Sequence, residues 1–117
     1  MGNQKLYKGS LQTIILKLLA QNEKMYGYEI SQKVKKLTEG ELLITEGALY
    51  PALHKLEAKG YLKAEVAKVG NRPRKYYKLT EIGSKETASK VAEMQEFLKT
   101  MQELVMPKLS LEQPNTP

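Results

Sequence analysis

The chain has no cysteine, no aspartate and no tryptophan, and among its 117 residues one histidine, His54, and one phenylalanine, Phe97. Without cysteine there is no disulfide framework, no thiolate metal site and no cysteine nucleophile. All 13 acidic residues are glutamates, which removes Asp-based magnesium and nucleophile chemistry. His54 has neither a cysteine nor a second histidine with which to complete a metal site or an acid–base pair. No catalytic residue, metal or cofactor is therefore expected. No apolar run approaches the roughly 20 residues of a membrane span, and the N-terminus lacks the basic, apolar, small-residue order of a secretory signal. A cytoplasmic protein without a membrane partner is the expectation, of a length for one modest domain.

What is present is an uneven charge. Residues 1–80 carry 15 Lys or Arg against 7 Glu, a surplus of 8 positive charges, whereas residues 81–117 carry 4 Lys against 6 Glu. An anionic partner for the first part follows from that excess.

Apolar residues recur at helical spacing in the first part. Leu11, Ile14, Ile15, Leu18 and Leu19 form the stripe of a helix from about Ser10, its expected N-cap, to Gln21. Tyr26, Ile30, Val34 and Leu37 mark a second helix ending before Gly40. A third opens at Thr45 as N-cap, turns Leu49, Leu53 and Leu56 inward and ends at Gly60. Its Pro51 would cost about 3 kcal/mol in an ordinary helix interior. Pro51 lies off the leucine stripe, where solvent can meet the missing hydrogen bond and the distorted turns can adapt to a groove.

The period then changes to two. Leu62, Ala64 and Val66 alternate with Lys63 and Glu65, and Tyr77 and Leu79 with Tyr76 and Lys78, as in two half-buried strands. Lys68 to Lys75, with Gly70, Asn71 and Pro73, reads as the turn between them. Both arginines, Arg72 and Arg74, fall in this basic tip. Further on, Val91, Met94, Leu98, Met101 and Val105 repeat at steps of three and four, with Phe97 and Leu104 widening the seam. This helix, expected to stop at Pro107, carries more apolar face than a small trihelical core can cover. A second copy of the chain is the simplest partner. Residues 108–117 read as a disordered tail.

Helix, helix, helix, hairpin is the order of a winged helix-turn-helix. The fold class is thus mainly α with a small β-hairpin: a DNA-binding domain over 1–80 and a C-terminal dimerisation helix over 81–107. Its chemistry is phosphate neutralisation and groove reading, for which the basic hairpin and the outer face of the third helix are suited. The segments Tyr26-Gly-Tyr-Glu-Ile30, Gly47-Ala-Leu-Tyr-Pro-Ala-Leu-His-Lys-Leu56, Gly60-Tyr-Leu62 and Gly70-Asn-Arg-Pro-Arg-Lys-Tyr-Tyr-Lys-Leu-Thr-Glu-Ile-Gly83 closely resemble the PadR family of bacterial transcription regulators, over about Leu6 to Met106. The single short C-terminal helix is similar to the smaller branch, which includes multidrug-responsive repressors.

The resemblance implies roles. Gly47, Tyr50, Pro51 and His54 on the third helix would lie at the major groove of a pseudo-palindromic operator in double-stranded DNA, with Lys55 reaching phosphate. Arg72, Arg74 and Lys75 in the wing would touch backbone or minor groove. Val91, Met94, Phe97, Leu98, Met101, Leu104 and Val105 would hold the homodimer. Family repressors are commonly released by small aromatic or lipophilic molecules. Some small members line the ligand pocket with a tryptophan where this chain has Met94, so an effector pocket here would use Met94, Phe97 and Met101. Plain dimer core is the preferred reading of that seam. Tyr26 and Tyr28 are expected to pack in the core or between helices, and the Tyr50 hydroxyl to face the groove. The competing function is a basic protein–protein interaction module without sequence-specific DNA binding.

Overall fold

The computed structural model describes residues 7–106. After a 3₁₀ turn at Lys8–Ser10 come helix α1 (Leu11–Gln21), strand β1 (Met25–Tyr26), helices α2 (Gly27–Leu37) and α3 (Glu46–Ala58), strands β2 (Leu62–Val69) and β3 (Arg72–Leu79), and helix α4 (Glu81–Val105). The tail expected at 108–117 and the stop at Pro107 fall outside the described residues. Among those described, no helix is long and apolar enough to cross a membrane.

The trihelical core forms on the stripes read from the sequence. Ile15, Leu18 and Leu19 of α1, Ile30 and Val34 of α2, and Leu49, Leu53 and Leu56 of α3 are buried together with Leu16, Met25, Leu42, Leu62 and Tyr77. One expected stripe member and one expected cap differ. Leu37 is 64% exposed at the end of α2, because the chain turns away through Thr38, whose hydroxyl donates to the Val34 carbonyl at 2.8 Å and accepts from the N–H of buried Leu42 at 3.1 Å. Ser10 does not cap α1 through its side chain, since the helix is entered from the 3₁₀ turn.

Thr45 caps α3 as expected, its hydroxyl accepting from the Ala48 N–H at 3.2 Å. The helix continues unbroken through Pro51. The carbonyl that Pro51 leaves without a donor belongs to Gly47, one turn earlier, and both residues face solvent, so water can satisfy it. Pro51→Ala restores that hydrogen bond and is expected to stabilise the fold by about 1–3 kcal/mol. A higher denaturant midpoint is the readout, and an unchanged midpoint would show that the proline carries no helical penalty here.

The hairpin is tighter and longer than the sequence suggested. Strands β2 and β3 pair from Leu62↔Leu79 to Val69↔Arg72, leaving a two-residue turn at Gly70-Asn71 in place of the expected turn over 68–75. Gly70 takes φ +66 at the first central position, as a type II′ turn requires. Pro73 is compatible with the strand because its neighbour Arg72 closes the turn in a hydrogen-bonded pair. One residue on, the nitrogen of Pro73 points away from β2. A third strand also joins the sheet: β1 pairs with β3 through Met25↔Tyr77 and Tyr26↔Tyr76, giving the order β1-β3-β2.

Candidate nucleic-acid interface

Leu49, Leu53 and Leu56 fix the rotation of α3 by facing the core, and Gly47, Pro51, His54 and Lys55 are exposed on the opposite side. Thr45 caps this helix and exposed Glu46 opens it, followed by two small exposed residues, Gly47 and Ala48. Such a face lets a helix approach a groove closely.

Tyr50 lies differently from the expectation of a groove-facing hydroxyl. It is half-buried and packs against the core, with its ring turned onto Gly27 at the start of α2. A Cβ on Gly27 would stand 2.7 Å from the ring carbon Cζ. The glycine of the Tyr-Gly-Tyr segment therefore leaves room for a phenol from the next helix.

The wing residues divide between the two faces of β3, as strand alternation requires. Lys75 and Tyr77 look toward α3, the Lys75 ammonium lying 3.9 Å from the Glu57 carboxylate and 5.4 Å from the Tyr77 ring centre. Arg74 and Tyr76 look the other way, onto the outer face of the sheet. There the Arg74 guanidinium lies 4.2 Å from the centre of the Tyr26 ring, and Tyr26 meets Tyr76 edge-on at 5.4 Å. Lys24 extends the row, 4.9 Å from the Tyr76 ring centre and 3.2 Å from the Glu65 carboxylate. The Lys24 hydrogen bond and charge hold the Glu65 carboxyl below the ordinary glutamate range.

β1 covers β3 only at Tyr76 and Tyr77. Beyond it, the uncovered edge of β3, the start of α2 and the side of α3 enclose an open cleft of about 530 Å³, lined by Tyr26, Gly27, Tyr28, Tyr50, His54, Arg72, Pro73, Arg74, Lys75 and Tyr77. It brings together Tyr50, His54, Arg72, Arg74 and Lys75 of the residues singled out in the sequence. Gly47, Pro51 and Lys55 stay on the outer surface of α3. Tyr28 is 62% exposed and Tyr26 sits half-buried on the sheet face, so neither fills the core, one of the two placements expected of them. Sequence reasoning missed Tyr26 and Lys24 as partners of the wing, because the two-residue strand that places them has no periodicity to detect.

The seam of α4 is partly engaged within the chain. Gly83 and Thr87, one and two turns into the helix, are buried, the Thr87 hydroxyl donating to the Gly83 carbonyl at 2.8 Å, and α1 packs along this helix. Val91, Met94 and Met101 are half-buried, while Phe97, Leu98, Leu104 and Val105 are 57–74% exposed. The three residues of the expected effector pocket do not converge within the chain. Phe97 lines a shallow groove with Ser89, Ala92, Glu93, Glu96 and Thr100, and Met94 and Met101 lie on the adjoining face of the helix. A more apolar recess, of about 340 Å³, lies elsewhere, between Tyr7, Lys8, Leu11 and Ile14 and the segment Leu42–Thr45 with Ala48.

Known proteins share this arrangement. Residues 15–89 match the model of the transcriptional regulator PadR-like family. An uncharacterized protein of Lysinibacillus sphaericus is 34% identical over 97 residues, covering 80% of this chain and 88% of its own. A transcriptional regulator from Clostridium thermocellum superposes with a TM-score of 0.80 at 33% identity, over 87% of this chain and 99% of that one. Bacillus subtilis PadR, solved in complex with operator DNA, gives 0.61 at 28% identity, over 68% of this chain and 45% of that one. With its helix order, wing and long terminal helix matched as well as its sequence, the chain belongs to the PadR-like family of transcriptional regulators.

Proposed function

We propose that the chain is a dimeric repressor that binds a pseudo-palindromic operator in double-stranded DNA. The observation that carries this reading is the placement of Arg72, Arg74 and Lys75 on the same cleft as Tyr50 and His54 of α3. A DNA backbone running between the groove that α3 enters and the wing would pass between those cations. Gly47, Pro51 and His54 then face the major groove, Tyr50 borders it from the cleft, and Lys55 reaches phosphate. Arginine suits the wing because its fork matches phosphate oxygens. The operator complex of Bacillus subtilis PadR supports the same class of partner.

In this reading residues 1–80 contact DNA and 81–107 hold the dimer, through Val91, Met94, Phe97, Leu98, Met101, Leu104 and Val105. Two copies of α3 then enter successive major grooves about 34 Å apart. Release by a small apolar or aromatic molecule belongs to the same proposal, with Met94, Phe97 and Met101 contributed by two facing α4 helices. Such a molecule releases DNA only if it binds the released spacing of the two reading helices more tightly than the DNA-bound one.

The test is titration of the purified protein against a duplex from its own upstream region and a scrambled duplex of equal length, at low and near-physiological salt. A preference of about a thousandfold for the native duplex at the higher salt is expected of a specific regulator. Replacing Arg72 and Arg74 together with alanine should weaken both duplexes at least about tenfold and reduce the salt slope by about two, one for each phosphate no longer neutralised. Equal, salt-sensitive binding to both duplexes, together with a stoichiometric acidic protein partner, would instead identify a basic interaction module.

A further inference from the structure

Arg72 and Arg74 share a strand, yet the fold treats them differently. Arg72 is exposed beside the turn, whereas Arg74 is half-buried with its guanidinium over the Tyr26 ring. The residue opposite Arg74 on β2 is Ala67, so that neighbour offers no carboxylate to hold it. Among the described residues no carboxylate pairs with Arg74. Held over a ring instead of in an ion pair, its guanidinium keeps its N–H donors for an anion.

Tyr26 is itself fixed from three sides. Its backbone pairs with Tyr76, its N–H donates to the Glu29 carboxylate at 3.0 Å, and its ring meets the edge of Tyr76 at 88°. It is also the N-cap residue of α2, the helix that packs beside α3. A side chain docked on Tyr26 is therefore tied to the helix that packs against α3.

We propose that Tyr26 is the positioning residue of the wing: its ring holds the Arg74 guanidinium at the cleft, with the donors free and aimed at a backbone phosphate. This rests on the DNA-binding reading above. Holding the side chain in place beforehand lowers the ordering cost that a flexible arginine meets on binding.

The experiment is a double-substitution cycle, measured with the upstream and scrambled duplexes. Tyr26→Leu is expected to weaken both about five- to tenfold and to lower the salt slope by about 0.9, the signature of one phosphate no longer neutralised. Tyr26→Phe keeps the ring and should bind within about twofold of the parent. In an Arg74→Ala background, Tyr26→Leu should add less than about twofold, since the two residues act as one unit. Losses that multiply would overturn the proposal, as would a Tyr26→Leu variant that binds normally while Arg74→Ala does not. Circular dichroism establishes that each variant is folded. If Tyr26→Leu is not, Tyr26→Thr carries the test, because threonine suits a strand and an N-cap position but has no ring; unchanged affinity and salt slope would then overturn the proposal. A parent protein that binds neither duplex removes the DNA reading and this inference together. A parent that binds, with Arg74→Ala binding equally well, removes this inference alone.

Discussion

Gly83→Ala is expected to destabilise the fold by about 3 kcal/mol, although alanine is the better helix former. Gly83 lies in the first turn of α4, where Thr80 caps the helix by accepting from the Gly83 N–H at 3.0 Å. The same Thr80 ties that turn to the chain leaving α3. Its hydroxyl donates to the Gly60 carbonyl at 2.6 Å and its N–H to the Tyr61 carbonyl at 3.0 Å. These bonds draw α4 so close to Tyr61 that a Cβ on Gly83 would stand 2.9 Å from the Tyr61 carbonyl carbon and 3.1 Å from its Cα, with the carbonyl oxygen nearer still. Both obstacles are backbone and cannot rotate away. To fit a methyl group, α4 must retreat and strain the Thr80 bonds.

At about 4 °C per kcal/mol for a domain of this size, the melting point should fall by roughly 12 °C. Gly47→Ala is the control. Its new methyl group meets only the Thr45 hydroxyl oxygen at 3.9 Å, so helix propensity should prevail, with a gain of up to about 1 kcal/mol. Opposite signs for the same substitution would establish the close approach at α4, and a Gly83→Ala variant melting with the parent would refute it.

Gly83 also shows where sequence stops being legible. The Thr-Glu-Ile-Gly segment marks a helix start, but nothing local says that another backbone lies against the glycine. The three core helices were legible because their apolar residues repeat with the period of the structure they form, and Thr45 because capping is a short-range hydrogen bond. Strand β1 was not. It spans two residues and exists only because β3, some fifty positions later, supplies its partners. The wing exceeds its expected length because Pro73, a strand breaker by residue type, sits inside β3. Whether proline breaks a strand depends on which edge its nitrogen faces, a matter of register rather than composition.

The candidate site divides in the same way. The exposed positions of α3 followed from the leucine stripe, since they are its complement. The inward turn of Tyr50 did not, because it depends on Gly27 leaving space across an interhelical contact. Clustering of Arg72, Arg74 and Lys75 was visible in the sequence, but their division between two strand faces needed the true hairpin register.

The largest effect on function is expected from Leu98→Glu combined with Met101→Glu on α4. The stripe that begins with buried Gly83 and Thr87 continues through Val91 and Met94 to Leu98, Met101 and Val105, each on the same side of the helix. Within the chain α1 covers its beginning. Among the described residues, five of the eleven exposed large hydrophobics lie between Phe97 and Met106, so this end of the stripe has the composition of a helix interface without a cover in the protomer. Two glutamates there would set like charges against each other across a two-fold contact. Because Leu98 is 57% exposed in the protomer and Met101 lies one turn further from α1, the folded chain itself should be little affected. Light scattering should show the mass of one chain where the parent shows two, with the far-UV spectrum retained. Binding of the second reading helix would then cease to be intramolecular, and affinity for a two-half-site duplex should fall by about a hundred- to ten-thousandfold. Affinity for a single half-site should stay near that of the parent. A variant that remains dimeric would move the interface off this seam, and the uncovered recess around Leu11, Ile14 and Ile44 would be the next surface to substitute.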